Sequence, residues 1–133
     1  MKLLSRGEVE KILKNTAPVA GKKMLEPFKS WFRKELPFGI MEDFEFEKSD
    51  AEVHKLEGDL WLCLEGEVEF ICGGELVESW VKDAKGNELG GKGIRGGSKT
   101  LLKPGDWLWI PSGEPHLHTA KFGRMAIIKI LKH

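Results

Sequence analysis

Two pairs of side chains, each spaced two apart, carry most of the chemistry in this sequence: Glu52 with His54, and His116 with His118. Alternate residues of an extended strand lie on one face, so each pair presents an imidazole beside a second proton-binding or metal-binding group. Neutral imidazole and carboxylate oxygen suit divalent first-row cations, and imidazole also moves protons near neutral pH. Asp59, five residues beyond His54, adds a second carboxylate. Taken alone, a histidine on a strand is more often structural than ligating, and Glu52 would equally fit a rim position paired with a lysine.

His116 closes a run of defined spacing. In PGDWLWIPSGEPHLH, from Pro104 to His118, Gly105 is followed by five residues, Pro111, one residue, Gly113, two residues and His116. Gly105 permits a tight turn, Asp106 to Ile110 a strand, and Pro111 with Gly113 a second turn that aims His116 inward. This G-x5-P-x-G-x2-H pattern closely resembles the second motif of the cupin superfamily. The first motif of that family, G-x5-H-x-H followed by Glu and then Gly, is matched only in part. His54 matches its second His and Gly66 its closing Gly, whereas Asp59 stands for Glu, Glu52 for the first His and Phe46 for the leading Gly. In the second motif, Ala120 replaces the Asn that often follows the His.

The resemblance implies an all-β chain, a double-stranded β-helix or jelly-roll-like barrel, with a short helical N-terminal segment. If the barrel closes as in cupins, one imidazole from each pair and the Asp59 carboxylate converge. His54, Asp59 and His116 then make a two-His, one-carboxylate set with open positions, and Glu52 is a fourth candidate ligand. A nitrogen and oxygen shell without thiolate suits one divalent ion, Fe, Mn, Ni, Co or Zn, with no choice among them. Glu52 or His118 is the adjacent group expected to move a proton. For His118, ligation, a hydrogen bond behind the ligands and contact with substrate stay open.

Cupins include dioxygenases, isomerases, epimerases, decarboxylases, lyases and binding domains, so fold alone does not fix the reaction. The implied function is a metal-dependent enzyme acting on a small organic molecule, of oxygenase, isomerase or lyase type. The alternative is a non-catalytic module that binds or senses a small ligand.

The elements that must position these groups follow from periodicity. From residue 41 the apolar period is two: Phe44 and Phe46; Leu60, Leu62 and Leu64 around Trp61 and Cys63; Val68 and Phe70. Turn signals at Glu57-Gly58, Glu65-Gly66, Gly73-Gly74, Lys85-Gly86-Asn87, Pro104-Gly105 and Pro111-Ser112-Gly113 divide them into short strands. A last strand is expected from Arg124 to Leu131. Trp107 and Trp109 alternate with Leu108 and Ile110, so one of these pairs should face the interior or an interface, either filling space or lining a ligand pocket. The insertion from Glu75 to Lys99 is a place for a lid. Within it, Gly91, Gly93 and Gly96 spell G-x-G-x-x-G, but with a hairpin before and Pro104 after, a loop or bulged strand is expected rather than a dinucleotide site.

Residues 1–40 read as a separate helical or extended segment, packed on the barrel of residues 41–133 or on a partner subunit. Ser5 and Glu8 make a capping box before Val9, Ile12 and Leu13, predicting a helix over about 6–14. Leu25, Phe28, Trp31, Phe32 and Leu36 predict a second helix between Pro27 and Pro37. Trp31 and Phe32 either cover one barrel end or join a dimer interface.

With 133 residues and 41% apolar content, one domain can bury its own core. Lys plus Arg and Asp plus Glu both number 21 and are interspersed, which argues against a nucleic-acid partner. No apolar run approaches the roughly 18 residues of a membrane span, and MKLLSRGEVE is far short of a secretory leader. The expectations are a cytoplasmic protein, no membrane partner, and a homodimer. Cys63 and Cys72 lie in apolar runs and are expected as buried, reduced thiols.

Overall fold

The two-residue alternation becomes strands, which a computed structural model describes for residues 1–132. His133, a terminal residue without supporting context in the sequence, lies outside the described residues. In chain order the elements are α1 (Arg6–Asn15), β1 (Gly21–Met24), α2 (Phe28–Trp31), β2 (Phe38–Phe46), β3 (Ala51–His54), β4 (Glu57–Cys72), β5 (Glu75–Val77), β6 (Trp80–Val81), β7 (Glu88–Gly91), β8 (Gly93–Arg95), β9 (Ser98–Leu102), β10 (Trp107–Ile110) and β11 (His116–Leu131).

Two long strands organise the barrel. β4 and β11, each 16 residues, pair antiparallel over most of their length. β11 also pairs with β2 and β3, while β4 pairs with β9 and β10, so the two strands serve both layers. Register shifts between Thr119 and Phe122 and between Arg124 and Met125 bend β11 where it passes from one set of neighbours to the other. β3 continues through β7 to the short edge strand β6, and β5 pairs with β8. The G-x-G-x-x-G segment is thus strand, turn and strand, followed by β9 rather than a helix.

The interior is apolar and tightly filled. Trp61, Cys63, Val68, Phe70, Leu102, Ile110, Ala120, Met125 and Ile127 form one buried cluster. On β4 the inward residues are Trp61 and Cys63, and Leu60, Leu62 and Leu64 lie half-buried on the opposite face. Cys63 is buried, Cys72 half-buried, and neither is in a disulfide. Burial pushes the Cys72 thiol up to about 11, away from thiolate chemistry.

A second cluster lies under the N-terminal segment: Leu25, Phe28, Leu36 and Ile40, with Val9, Ile12 and Leu13 of α1 packed on it. The first helix starts as its sequence indicates, with the Ser5 hydroxyl accepting from the Glu8 amide at 3.1 Å. The second departs from expectation. It is a single turn, after which Arg33 takes φ 66°. Leu25, Phe28 and Leu36 reach one buried cluster through turns, so their apolar spacing is satisfied by packing rather than by a continuous helix. Gly21–Met24, with no alternation to reveal it, is a strand on the edge of β2.

Candidate metal centre

Strand register brings the sequence pairs together. His116 lies directly opposite Glu52, and His54 opposite Glu88, across the ladder β11, β3, β7. Gly105 and Gly113 hold φ of 92° and 86°, the left-handed turns that deliver β10 and then His116. The second turn is tied to the other histidine, since the Gly113 amide donates to the His54 carbonyl at 2.8 Å.

Ligand-type atoms of Glu52, His54 and His116 all lie within 4.8 Å of one another, a cluster able to hold a metal ion. Asp59 joins from β4, with Oδ2 3.6 Å from His54 Nε2 and 3.5 Å from His116 Nε2. His118 lines the same cavity of about 170 Å³, together with Met24, Phe32, Met41, Trp61, Ile127 and Lys129. Phe32 therefore borders the site, and Trp31 packs in the N-terminal cluster against Phe28.

The three imidazoles share one device. His54 Nδ1 faces both oxygens of Glu88 at 2.7 and 2.9 Å. His116 Nδ1 faces the Glu114 carbonyl at 3.0 Å, and His118 Nδ1 faces Asp43 Oδ2 at 2.5 Å. These partners are acceptors, so each Nδ1 carries a proton, which leaves Nε2 as the ring nitrogen available to a further partner. Imidazoles that bind metals are commonly held in this way. Burial dominates at His116 and lowers its pKa to about 4, despite the opposing pull of the Glu114 carbonyl and Asp59, so it is neutral at pH 7.

The carboxylates are held differently. Glu52 Oε1 meets Lys82 Nζ at 3.0 Å and Lys22 Nζ at 4.0 Å, while Oε2 stands 3.6 Å from His54 Nε2. Burial works to raise its pKa, but Lys22, Lys82 and His54 outweigh it and bring the carboxyl to about 2. Asp59 Oδ1 accepts from Lys129 Nζ at 2.6 Å, whereas Oδ2 is buried without a hydrogen-bond partner. A buried carboxylate oxygen without a hydrogen-bond partner among the described residues, beside two imidazole nitrogens, is costly unless a ligand satisfies it. The donor set thus fits a divalent ion. A second grouping, Glu57 and Glu88 around His54, is already occupied: Glu57 pairs with Arg33 and Glu88 with His54 Nδ1.

Asp43, Glu88, Lys129 and Trp61 were not singled out for the site by spacing. Glu42 and Asp43 are adjacent on β2 and so point to opposite faces, yet both are fully buried. Their partners, Arg124 and His118, are about 80 positions away; Arg124 lies directly opposite Glu42 in the β2 to β11 register, and His118 reaches Asp43 through its side chain.

The folded chain is an antiparallel β-barrel built on β4 and β11, with a histidine and carboxylate cluster in its cavity. No protein-family model matches the sequence, and no curated protein matches it. Among solved structures, the chain is similar to Drosophila melanogaster CENP-C bound to CAL1, at 15% identity and TM-score 0.52, over 74% of this chain and 68% of that one. It is similar to the Drosophila melanogaster CENP-C cupin domain at 15% identity and TM-score 0.51, over 74% and 63%. It is also similar to a predicted oxalate decarboxylase from Thermotoga maritima, at 18% identity and TM-score 0.50, over 84% and 79%. The likeness is one of fold: this is a cupin-fold protein. Among the described residues no helix is long and apolar enough to cross a membrane.

Proposed function

We propose that this chain is a metal-dependent enzyme acting on a small organic molecule, with one divalent ion held by His54, His116, Asp59 and Glu52. The observation that carries this reading is the pair of imidazoles, His54 and His116, with Nδ1 anchored and Nε2 3.6 and 3.5 Å from an Asp59 oxygen that has no hydrogen-bond partner among the described residues. When bound, such an ion supplies polarisation of a carbonyl or carboxylate oxygen, or redox chemistry with O2.

The chain's own groups supply the rest. His118 Nε2 takes or returns a proton at the cavity wall, and Asp43, buried against its Nδ1, orients the ring and stabilises it when charged. Trp61, Phe70 and Phe46 pack around the His118 ring and limit water there. Glu52, at the boundary between cavity and exterior, is the second group able to carry a proton.

A non-catalytic ligand-binding module is the second reading, and Lys129 favours it. Its ammonium donates to Asp59 Oδ1 at 2.6 Å, a counter-charge for the carboxylate that needs no metal ion. After reconstitution with each candidate metal, O2 uptake and product formation across small organic acids, sugars and phosphosugars separate the two. Turnover that disappears in His118→Gln supports the enzyme. Tight retention of an unmodified metabolite with no turnover supports the binding module.

For assembly, we propose a homodimer through β10. Among the described residues this strand pairs only with β4, and Trp107 and Trp109 on it are 60% and 49% exposed beside Leu60 and Leu62. An edge strand flanked by apolar side chains can pair antiparallel with its own copy about a two-fold axis.

A further inference from the structure

A single row of residues runs across the sheet from the metal cluster to its edge. Trp80 on β6 faces Gly90 on β7, Gly90 faces Glu52 on β3, and Glu52 faces His116 on β11. Residues directly opposite in neighbouring strands point to the same side, so indole, carboxylate and imidazole share one face. Glycine is required in the middle of the row: a Cβ at Gly90 would lie 2.6–2.8 Å from three ring atoms of Trp80. The indole therefore lies across the gap beside Glu52, and it is 40% exposed.

Lys82, two residues after Trp80, projects to the same side and reaches Glu52 Oε1 at 3.0 Å, and Lys22 from β1 approaches that oxygen at 4.0 Å. These residues line a groove of about 940 Å³. Lys22 and Glu52 also border the inner cavity, so the groove adjoins the cluster of Glu52, His54 and His116. Locally, two ammonium groups share one carboxylate whose other oxygen turns toward His54. Of the other carboxylates along the groove, Glu47 and Glu69 also border a separate depression with Phe44 and Phe122.

We infer that this groove binds an anion joined to a ring, with the anionic group on Lys22 and Lys82, the ring against Trp80, and the far end directed at His54 and His116. Along the whole groove four lysines, Lys22, Lys48, Lys82 and Lys92, balance four carboxylates, Glu47, Asp50, Glu52 and Glu69, but beside the indole Lys22 and Lys82 share only Glu52, a local excess of one positive charge that suits an anion. The exposed indole offers a large apolar face to an aromatic or sugar ring. The inference rests on the metal-centre reading for the identity of the reactive end; the anion and ring contacts stand on the groove alone. Two sources share this chemistry, aromatic carboxylates and sugar phosphates.

Calorimetric titration of the intact protein tests it, with phenylacetate and glucose 6-phosphate as probes and phenylacetamide and glucose as their uncharged counterparts. At least one anionic probe is expected to bind, at least tenfold more tightly than its counterpart, and which one binds identifies the source. Trp80→Ala and Lys82→Met should each weaken that binding by tenfold or more, with circular dichroism unchanged. Lys29→Met, at an exposed lysine outside the groove, should leave it unaltered. The inference is overturned if neither anion binds, if the uncharged counterpart binds equally, or if both groove variants bind like the parent. Metal content of the parent and His116→Ala, measured on the same preparations, is read separately: equal content sinks the metal reading while the groove variants still decide this one.

Discussion

Two buried ionic groups in this barrel are built on opposite principles. Around Arg124, 2% exposed, nearly every polar group has a partner. Nε donates to Glu42 at 2.8 Å, Nη1 to the Leu13 carbonyl at 2.5 Å and Nη2 to the Thr16 carbonyl at 2.5 Å, and Glu42 also accepts from the Val19 amide. The guanidinium thereby satisfies carbonyls at the C-terminal end of α1 and ties the helix to β11 and β2. Around Asp59 the geometry is deliberately incomplete. Among the described residues Oδ2 of Asp59 has no hydrogen-bond partner, and the indole Nε1 of Trp61 is buried without one. The difference teaches how to read buried charge: a closed network fixes the fold, and an open one facing a cavity is ready for a ligand.

Breaking the closed network should cost most. Arg124→Ala strands Glu42 in the interior, with an expected loss of about 3–5 kcal/mol in urea unfolding. A loss below about 1 kcal/mol would show that the cluster is not the scaffold described.

Acid should act on the open site. His116 titrates near 4 in the folded state against 6.5 in the unfolded chain, so between these values the unfolded chain holds more protons. Stability of the metal-free protein should be full above pH 6.5 and fall by about 3 kcal/mol as pH drops toward 4. Glu52, lowered to about 2, extends the same trend below pH 4.5. Unfolding at pH 7.5, 6 and 5 checks this, and His116→Asn should flatten the upper part of the slope.

A smaller effect, confined to the open site, is expected from Glu88→Gln. Weakening the anchor of His54 Nδ1 should lower metal affinity by about 10- to 100-fold while unfolding changes little. The smallest belongs to the far end of the helix that Arg124 holds: Ser5→Ala removes the N-cap and should cost about 1 kcal/mol with metal affinity unchanged.

The sequence disclosed the local half of this design. Spacing alone placed the turns before and after β10, the strands from residue 41, and the pairing of Glu52 with His54 and of His116 with His118, because each depends on neighbours within a few residues. It did not disclose what faces those residues across the sheet. Nothing in FGIMEDFEF ties Asp43 to His118 until the chain folds, and nothing near Glu88 ties it to His54 until β7 is set beside β3. The open alternatives at Glu52 and His118 have the same origin: Glu52 touches both lysines and His54, a dual position that no spacing rule expresses.

The central claim is that the open cluster holds an ion. Elemental analysis of protein purified without a metal-affinity tag, parent beside His54→Ala/His116→Ala, tests it most directly. The account predicts about one divalent ion per chain in the parent and its loss in the folded variant. Equal, substoichiometric metal in both would contradict it.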